Sequence, residues 1–391
     1  MLDLDALRAD TPGCRDQVFL DSAGSSLSPT PVLEEVIGHL RREARIGGYR
    51  AAAERAEDIE AGHAVLAGLL GCAPDEVAFT DSATRSWLSL LDSVPLAPGQ
   101  RVLISEVEYG ANAVALLRLA ERNGTTVEPV PSDDDGALSV PALREMLDER
   151  VALVSLVHVP TNSGLVNPVR AATDAAHDAG ALVLLDACQS VGQLPVRMDE
   201  LGADMVAGTG RKWLRGPRGT GFLAVRRAAA HRLWPRLIDH SGADWESAAS
   251  YRLRGDARAY QLWEFGVAER LGLIAAARYA QELGIGEIAA AVADRAARLR
   301  AGLAGLPGVT VRDIGREHGG IVTFTHAGLP APDVAAALRE RGIAVTVSSA
   351  ASTRIDMARR GLETVVRASP HYFVSHADID TAIGAVAELG R

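Results

Sequence analysis

Six short apolar runs between residues 77 and 207 alternate with stretches of helical periodicity, and that alternation leaves few folds open. The runs are Val77–Thr80, Arg101–Ile104, Thr125–Val130, Val151–His158, Ala181–Asp186 and Ala203–Ala207. The helical patterns lie near Thr84–Leu91, Asn112–Arg122, Val140–Asp148 and Pro168–Ala179. Runs this short read as buried strands. Strands and helices alternating at this spacing predict an α/β fold, a mainly parallel sheet with helices on both faces. In such sheets ligands sit beyond the carboxyl ends of the strands, so the residues just after each strand are the ones to inspect. Phe222–Val225 adds a candidate strand. After a loop around Ser241–Asp256, a long helix is expected over Trp263–Leu283, followed by an Ala/Arg-rich stretch, Gly284–Leu306. Strands at Val309–Val311, Ile321–Thr325, Ala344–Ser348 and Val365–Ala368, with helices at Ala331–Arg341 and Ala377–Leu389, predict a smaller α+β domain.

Composition removes several functional classes. The 391 residues are 48% hydrophobic and 23% charged, with a formal net charge of −10. A nucleic-acid binder would show a basic domain or stripe. No apolar run approaches the roughly 18 residues of a membrane span. The N-terminus carries two early acids and no apolar core of a signal peptide. The cytoplasm is the expected location, with no membrane or nucleic-acid partner. Cys14, Cys72 and Cys188 are too few and too far apart for a disulfide framework or a zinc spacing, and no metal site is expected.

Of the 40 basic side chains, Lys212 is the only lysine. Arginine replaces lysine well on a surface but not as an amine nucleophile. The surviving lysine is therefore a candidate Schiff-base residue. It sits in Gly208-Thr209-Gly210-Arg211-Lys212, just past a strand. Asp186 closes the apolar run Leu182–Leu185, and Gln189 follows three residues on. Ser82-Ala83-Thr84 opens a helix, where free N–H groups and a hydroxyl make an anion site. Glu108-Tyr109 follows another strand. One sheet edge thus collects an amine, a carboxylate, a phosphate cradle and an aromatic ring. A pyridoxal phosphate site needs those parts: a lysine for the aldehyde, an acid at the pyridine nitrogen, a stacking ring and an anion site. Separately each has a plainer reading, since a Ser at a helix start is by default a cap. The conjunction is what counts. Gly208-Thr209-Gly210-Arg211-Lys212-Trp213 is not a dinucleotide fingerprint, because Trp213 occupies the third glycine position. Gly216–Gly221 reads as a tight turn between strands. His158 and His371 are candidate acid–base groups. Trp87 and Trp213 are expected in the core.

These residues resemble the class V aminotransferase-like, fold-type I pyridoxal phosphate enzymes, over roughly Val18 to Ile383. That group includes cysteine desulfurases, selenocysteine lyases and isopenicillin N epimerases. Phe79-Thr80-Asp81-Ser82-Ala83-Thr84 looks like the family's phosphate loop, with Ser82 where Gly is usual. Glu108-Tyr109-Gly110-Ala111-Asn112 resembles the Glu-His-x-x-Asn segment, with Tyr109 in place of the stacking His. Asp186-Ala187-Cys188-Gln189 is similar to the segment whose Asp meets the pyridine nitrogen and whose Gln reaches the phenolic oxygen. Thr209-Gly210-Arg211-Lys212 resembles Ser-Gly-His-Lys, which implies phosphate contacts from Thr209 and Arg211 and a Schiff base at Lys212. Arg367 matches the arginine that binds the substrate carboxylate. Thr161 or Asn162 would contact the phenolic oxygen. His158 and Tyr49 are further candidates on the substrate side. The resemblance implies a large cofactor domain over 18–262, a small domain from 1–17 and 263–391, and a homodimer.

Within the family, Glu43–Tyr49, Arg211–Gly219 and Ser369-Pro370-His371 are most similar to ergothioneine-pathway C–S lyases. Lincosamide-pathway enzymes acting on S-glycosyl cysteine conjugates are of similar type. Two departures matter. Desulfurases need a mobile cysteine before the C-terminal arginine, where this chain has Ser348–Thr353 and no cysteine. The Gly-Thr phosphate contact from a partner subunit is missing at Leu262–Phe265. The expected activity is β-elimination at the Cβ–S bond of a cysteine S-conjugate. Transamination, epimerisation and decarboxylation-coupled oxidative deamination are the alternatives.

Overall fold

The computed structural model describes residues 2–389. Its centre is a seven-stranded sheet: β1 (Val77–Thr80), β2 (Arg101–Ser105), β3 (Thr126–Val130), β4 (Val151–Val157), β5 (Leu182–Asp186), β6 (Met205–Thr209) and β7 (Gly221–Val225). The spatial order is β1-β7-β6-β5-β4-β2-β3. β7 runs antiparallel to both its neighbours, and the remaining pairings are parallel. The expected α/β sheet is therefore mainly parallel, with one reversed strand.

The strands are continuous apolar runs because both faces are covered. Successive side chains point to opposite faces. Phe79, Leu103, Val154, Val183, Leu185 and Val206 pack into one core layer. Ala78, Val102, Ile104, Leu184, Met205 and Leu223 pack into the other. That second layer also receives Trp87 and Leu90 from α4 (Ala83–Ser93) and Leu116 from α5 (Gly110–Asn123). In register, Val157 lies beside Asp186, and Asp186 beside Ala207. Their carboxyl ends form one edge.

After two short helical segments, Leu4–Ala9 and Ser22–Ser25, the helices α1 (Thr30–Ile46), α2 (Gly48–Glu54) and α3 (Ala56–Leu70) precede the sheet. The long helix α8 (Val267–Leu283) packs on α1 and α3. It starts four residues later than the periodicity suggests, because Gly266 is its N-cap. Helices α6 (Val140–Met146) and α7 (Val169–Asp178) lie within the sheet region. A four-stranded antiparallel sheet, β8 (Val309–Val311), β9 (Val322–His326), β10 (Thr346–Ser349) and β11 (Thr364–Ala368), has the order β8-β9-β11-β10. Helices α9 (Ile285–Ala304), α10 (Ala331–Glu340) and α11 (His376–Ala387) pack around it.

Two expectations need correction. The strand expected at Ala344–Ser348 is split: Ile343–Ala344 pairs in parallel with Val18–Phe19, and Thr346 onward joins β11. The expected loop at Ser241–Asp256 holds an antiparallel hairpin, Ala243–Ser247 with Ser250–Leu253. Its strands are largely exposed and polar, so no apolar alternation marks them.

Arg215 ties the layers together. It is 1% exposed and sits at φ 63°, a left-handed conformation uncommon outside glycine. Its guanidinium donates to the Leu27 carbonyl (2.8 Å), the Tyr372 hydroxyl (2.8 Å) and the Thr11 hydroxyl (2.6 Å). Its carbon also lies 4.4 Å from the centre of the Phe373 ring. One buried cation thus joins the N-terminal segment to the C-terminal one. Arg215→Leu should lower unfolding stability by roughly 3 kcal/mol, since three buried acceptors lose a charged donor. The shift in denaturant midpoint at constant slope measures it.

Candidate active site

A cavity of about 320 Å³ opens at the carboxyl edge of the large sheet. Lys212, Asp186, Gln189, Thr209, Arg211, Thr161, Tyr109 and Ser82-Ala83-Thr84 line it. These residues come from five strand ends and span 131 positions of chain, from 82 to 212.

Asp186 ends β5 and is held at both oxygens. Oδ1 accepts from the Cys188 N–H (2.9 Å) and Oδ2 from the Asn112 amide (2.9 Å). The same Asn112 nitrogen donates to Glu108 Oε1 at 3.0 Å. Glu108 also accepts from its neighbour's backbone, Tyr109 N–H (2.9 Å), and from the Ser155 hydroxyl (2.9 Å). Burial, opposed by these hydrogen bonds and reinforced by the Asp186 charge, pushes Glu108 up to about 7. Two carboxylates therefore share one amide in a dry site. Glu108 lies just ahead of the Tyr109 N-cap of α5 and Asn112 in its first turn, four residues on, so the two meet at the helix start. That i, i+4 spacing was the signal for a role that motif matching alone did not assign.

Lys212 is half-buried as a residue, but its amine end is enclosed. Burial lowers it to about 8. No hydrogen bond or ion pair to its amine occurs among the described residues. A buried, unpaired amine at that value suits a nucleophile or base. The helix N-terminus opposite is built for an anion. The Ser82 oxygen caps the Arg85 N–H, leaving the earlier N–H groups of α4 free. Gly221 lies beside both Thr80 and Thr209. A Cβ there would stand 2.3 Å from the Ser82 carbonyl carbon, so glycine is what lets the loop close on the sheet. An unpaired amine, a doubly bonded carboxylate and a free helix N-terminus around one cavity fit pyridoxal phosphate.

Other expected residues have mixed placements. Thr161 faces the cavity, and Asn162 does not. The Asn162 amide instead donates to the Ser349 carbonyl and the Thr353 hydroxyl, and accepts from Ser348 (2.6 Å). The Thr161/Asn162 alternative is thus divided by which way each side chain turns. Arg367 lies behind Thr161. It donates to the Thr161 hydroxyl (2.5 Å), reaches Asp21 at 3.4 Å, and leaves its buried Nε without a partner. Gln189 donates to the Ala23 carbonyl (3.0 Å) and accepts from Trp213 (2.9 Å). Tyr109 is 41% exposed at the rim.

Two substrate-side candidates do not line this cavity. His158 is buried and does not line the cavity, although its neighbours Val157 and Val159 do. Its Nδ1 has no partner, and burial lowers it to about 4. Tyr49 is 82% exposed and lies in a different depression, with Leu40 and Trp263. Gly47, at φ 88°, ends α1 and caps the start of α2 just before it. His371 is buried against the Trp213 carbonyl. Trp87, expected in the core, also lines the cavity and presents an unpartnered Nε1. No cluster of three or more metal-ligating side chains occurs among the described residues.

The chain matches the aminotransferase class-V family over residues 18–381. A probable cysteine desulfurase 2 of Mycobacterium leprae is 31% identical over 98% of this chain and 96% of its own length. A probable cysteine desulfurase of Streptomyces coelicolor is also 31% identical, over 100% of this chain and 97% of its own. The apo structure of a cysteine desulfurase from Thermococcus onnurineus NA1 superposes with a TM-score of 0.92 at 26% identity, covering 100% and 98% of the two chains.

The Glu108 arrangement has a pH signature. Its folded value lies above the ordinary 4.5. Its favourable contribution is therefore full below about pH 4.5 and is lost as pH rises through about 7, by about 3 kcal/mol in total. Glu108→Gln should remove that loss, so the variant gains stability relative to wild type between pH 5 and 8. Denaturant unfolding at the two pH values tests it.

Proposed function

The chain belongs to the aminotransferase class-V family and is a pyridoxal phosphate-dependent enzyme, and from that premise we propose that it cleaves the Cβ–S bond of a cysteine S-conjugate by β-elimination. When bound, the cofactor supplies an electron sink for the substrate's α-carbon. Lys212 would carry it, Asp186 would hold a proton at its ring nitrogen, and Tyr109 would cover its ring. Ser82, Ala83, Thr84, Thr209 and Arg211 would hold its phosphate, with Gln189 and Thr161 at its phenolic oxygen. Arg367 would take the substrate carboxylate with a guanidinium fork. The displaced Lys212 amine would then remove the α-proton at Nζ. Loss of sulfur from Cβ would lead, after hydrolysis, to pyruvate and ammonia.

One observation carries this reading over a desulfurase mechanism. Persulfide chemistry needs a mobile thiolate. The segment 348–353 contains no cysteine and is tied down by three hydrogen bonds to Asn162. Cys188 lines the cavity, but burial, reinforced by the Asp186 charge, pushes its thiol well above the usual range. Such a thiol is a poor nucleophile. The relatives named as cysteine desulfurases support a sulfur-bearing amino acid substrate. The segments shared with ergothioneine-pathway lyases favour a thioether or sulfoxide of cysteine; an S-glycosyl conjugate is the variant.

We read the protein as a cytoplasmic homodimer with a large domain over 18–262. Exposed Leu40, Tyr49 and Trp263 share one depression, the kind of apolar patch that a second copy covers. No helix among the described residues is long and apolar enough to cross a membrane.

Mass spectrometry after incubation with S-substituted cysteines, as thioether and as sulfoxide, decides the reaction. Pyruvate with a released sulfur fragment is expected. A 2-oxo acid or aldehyde that keeps the sulfur would mean amino-group removal instead, and inversion at the α-carbon would mean epimerisation. Lys212→Ala and Lys212→Arg should both lose turnover by at least about a thousandfold, since a guanidinium is neither amine nucleophile nor base.

A further inference from the structure

Arg270 is a buried cation without an anion. It lies in the first turns of α8, is 7% exposed, and its side chain forms no hydrogen bond or ion pair among the described residues. Its guanidinium carbon is 3.2 Å from the centre of the Phe265 ring and 5.2 Å from that of Phe79. Burial alone lowers it, to about 9, with no acid opposing the shift. A cation near a helix N-terminus also meets the positive end of the dipole. Aromatic stacking offsets only part of the cost of desolvating a guanidinium.

The side chain lines a small cavity of about 50 Å³, enough for a few water molecules or one oxyanion. Arg85 adds a second cation, while the Thr80 and Thr220 hydroxyls that also border it donate to the Ser82 and Pro217 carbonyls. Asp81 and Glu264 also border it, but neither is within ion-pair distance of Arg270, and Asp81 Oδ1 already accepts from the Ser82 hydroxyl. Asp81, Gly219 and Thr220 are shared with the Lys212 cavity, whereas Ser82, Ala83 and Thr84 face only the latter. The small cavity is thus a second compartment behind the phosphate loop.

We propose that Arg270, with Arg85, forms an oxyanion site behind the phosphate loop that takes a phosphate-sized anion. The anion is either free or the cofactor's own phosphate reached from behind, and the two sources separate experimentally. The holoenzyme and its Arg270→Met variant are titrated with inorganic phosphate, followed by thermal unfolding and calorimetry. Cofactor affinity of each apoprotein is measured by the visible absorption of bound pyridoxal phosphate.

For a free anion, wild-type holoenzyme gains melting temperature saturably with phosphate. The variant then binds phosphate at least tenfold more weakly and keeps wild-type cofactor affinity. For the cofactor's phosphate, the holoenzyme shows no added response and the variant's cofactor dissociation constant rises at least tenfold. In both cases the variant without phosphate or cofactor should be no less stable than wild type, because an unpaired buried charge has been removed. A variant that is destabilised in the apo state, with phosphate and cofactor affinities both unchanged, would reduce Arg270 to a packing role and overturn the proposal.

Discussion

The hydrogen-bonded register of three parallel strands governs everything at the site. β4, β5 and β6 are aligned so that Val157, Asp186 and Ala207 lie side by side. Because parallel strands all point one way, the residues that follow them emerge at one edge. Thr161, Gln189 and Lys212 are far apart in the chain, yet this alignment delivers them to one cavity. A shift of one residue in β5 would turn Asp186 to the other face and dismantle the arrangement.

The same edge collects charges in a place with little water. Lys212, Arg211 and Arg367 stand near Asp186, with Glu108 one hydrogen-bonding group behind. Burial dominates the shifts of Lys212 and Glu108, moving an amine down and a carboxyl up toward neutrality. Both changes favour groups that exchange protons near neutral pH. Asn112 lets the two carboxyls coexist by donating to both. Fixed hydrogen bonds to the backbone and to Asn112 hold Asp186 in one orientation before any ligand arrives.

Much of this was legible from residues in order. The strand ends at Thr80, Asp186 and near Ala207 could be read from apolar runs, because a sheet covered on both faces demands them. The unique lysine stood out because arginine cannot do its chemistry. The hairpin at 243–253 was invisible, since its exposed strands have no buried face to impose alternation. That neither Tyr49 nor His158 lines the Lys212 cavity was not legible either. Proximity to a motif says nothing about which cavity a side chain lines.

The sequence alone determined the fold class, the candidate amine, the acid three residues before Gln189, and the helix start that suits an anion. Those follow from local rules: apolar periodicity, the chemistry of single side chains, and capping. Only the tertiary structure decided that Glu108 and Asp186 share Asn112, that Thr161 rather than Asn162 faces the cavity, and that Arg270 is buried without a counter-charge. Each of those depends on what a distant segment places, or fails to place, within about 3 Å of a polar atom. No one-dimensional pattern encodes that distance.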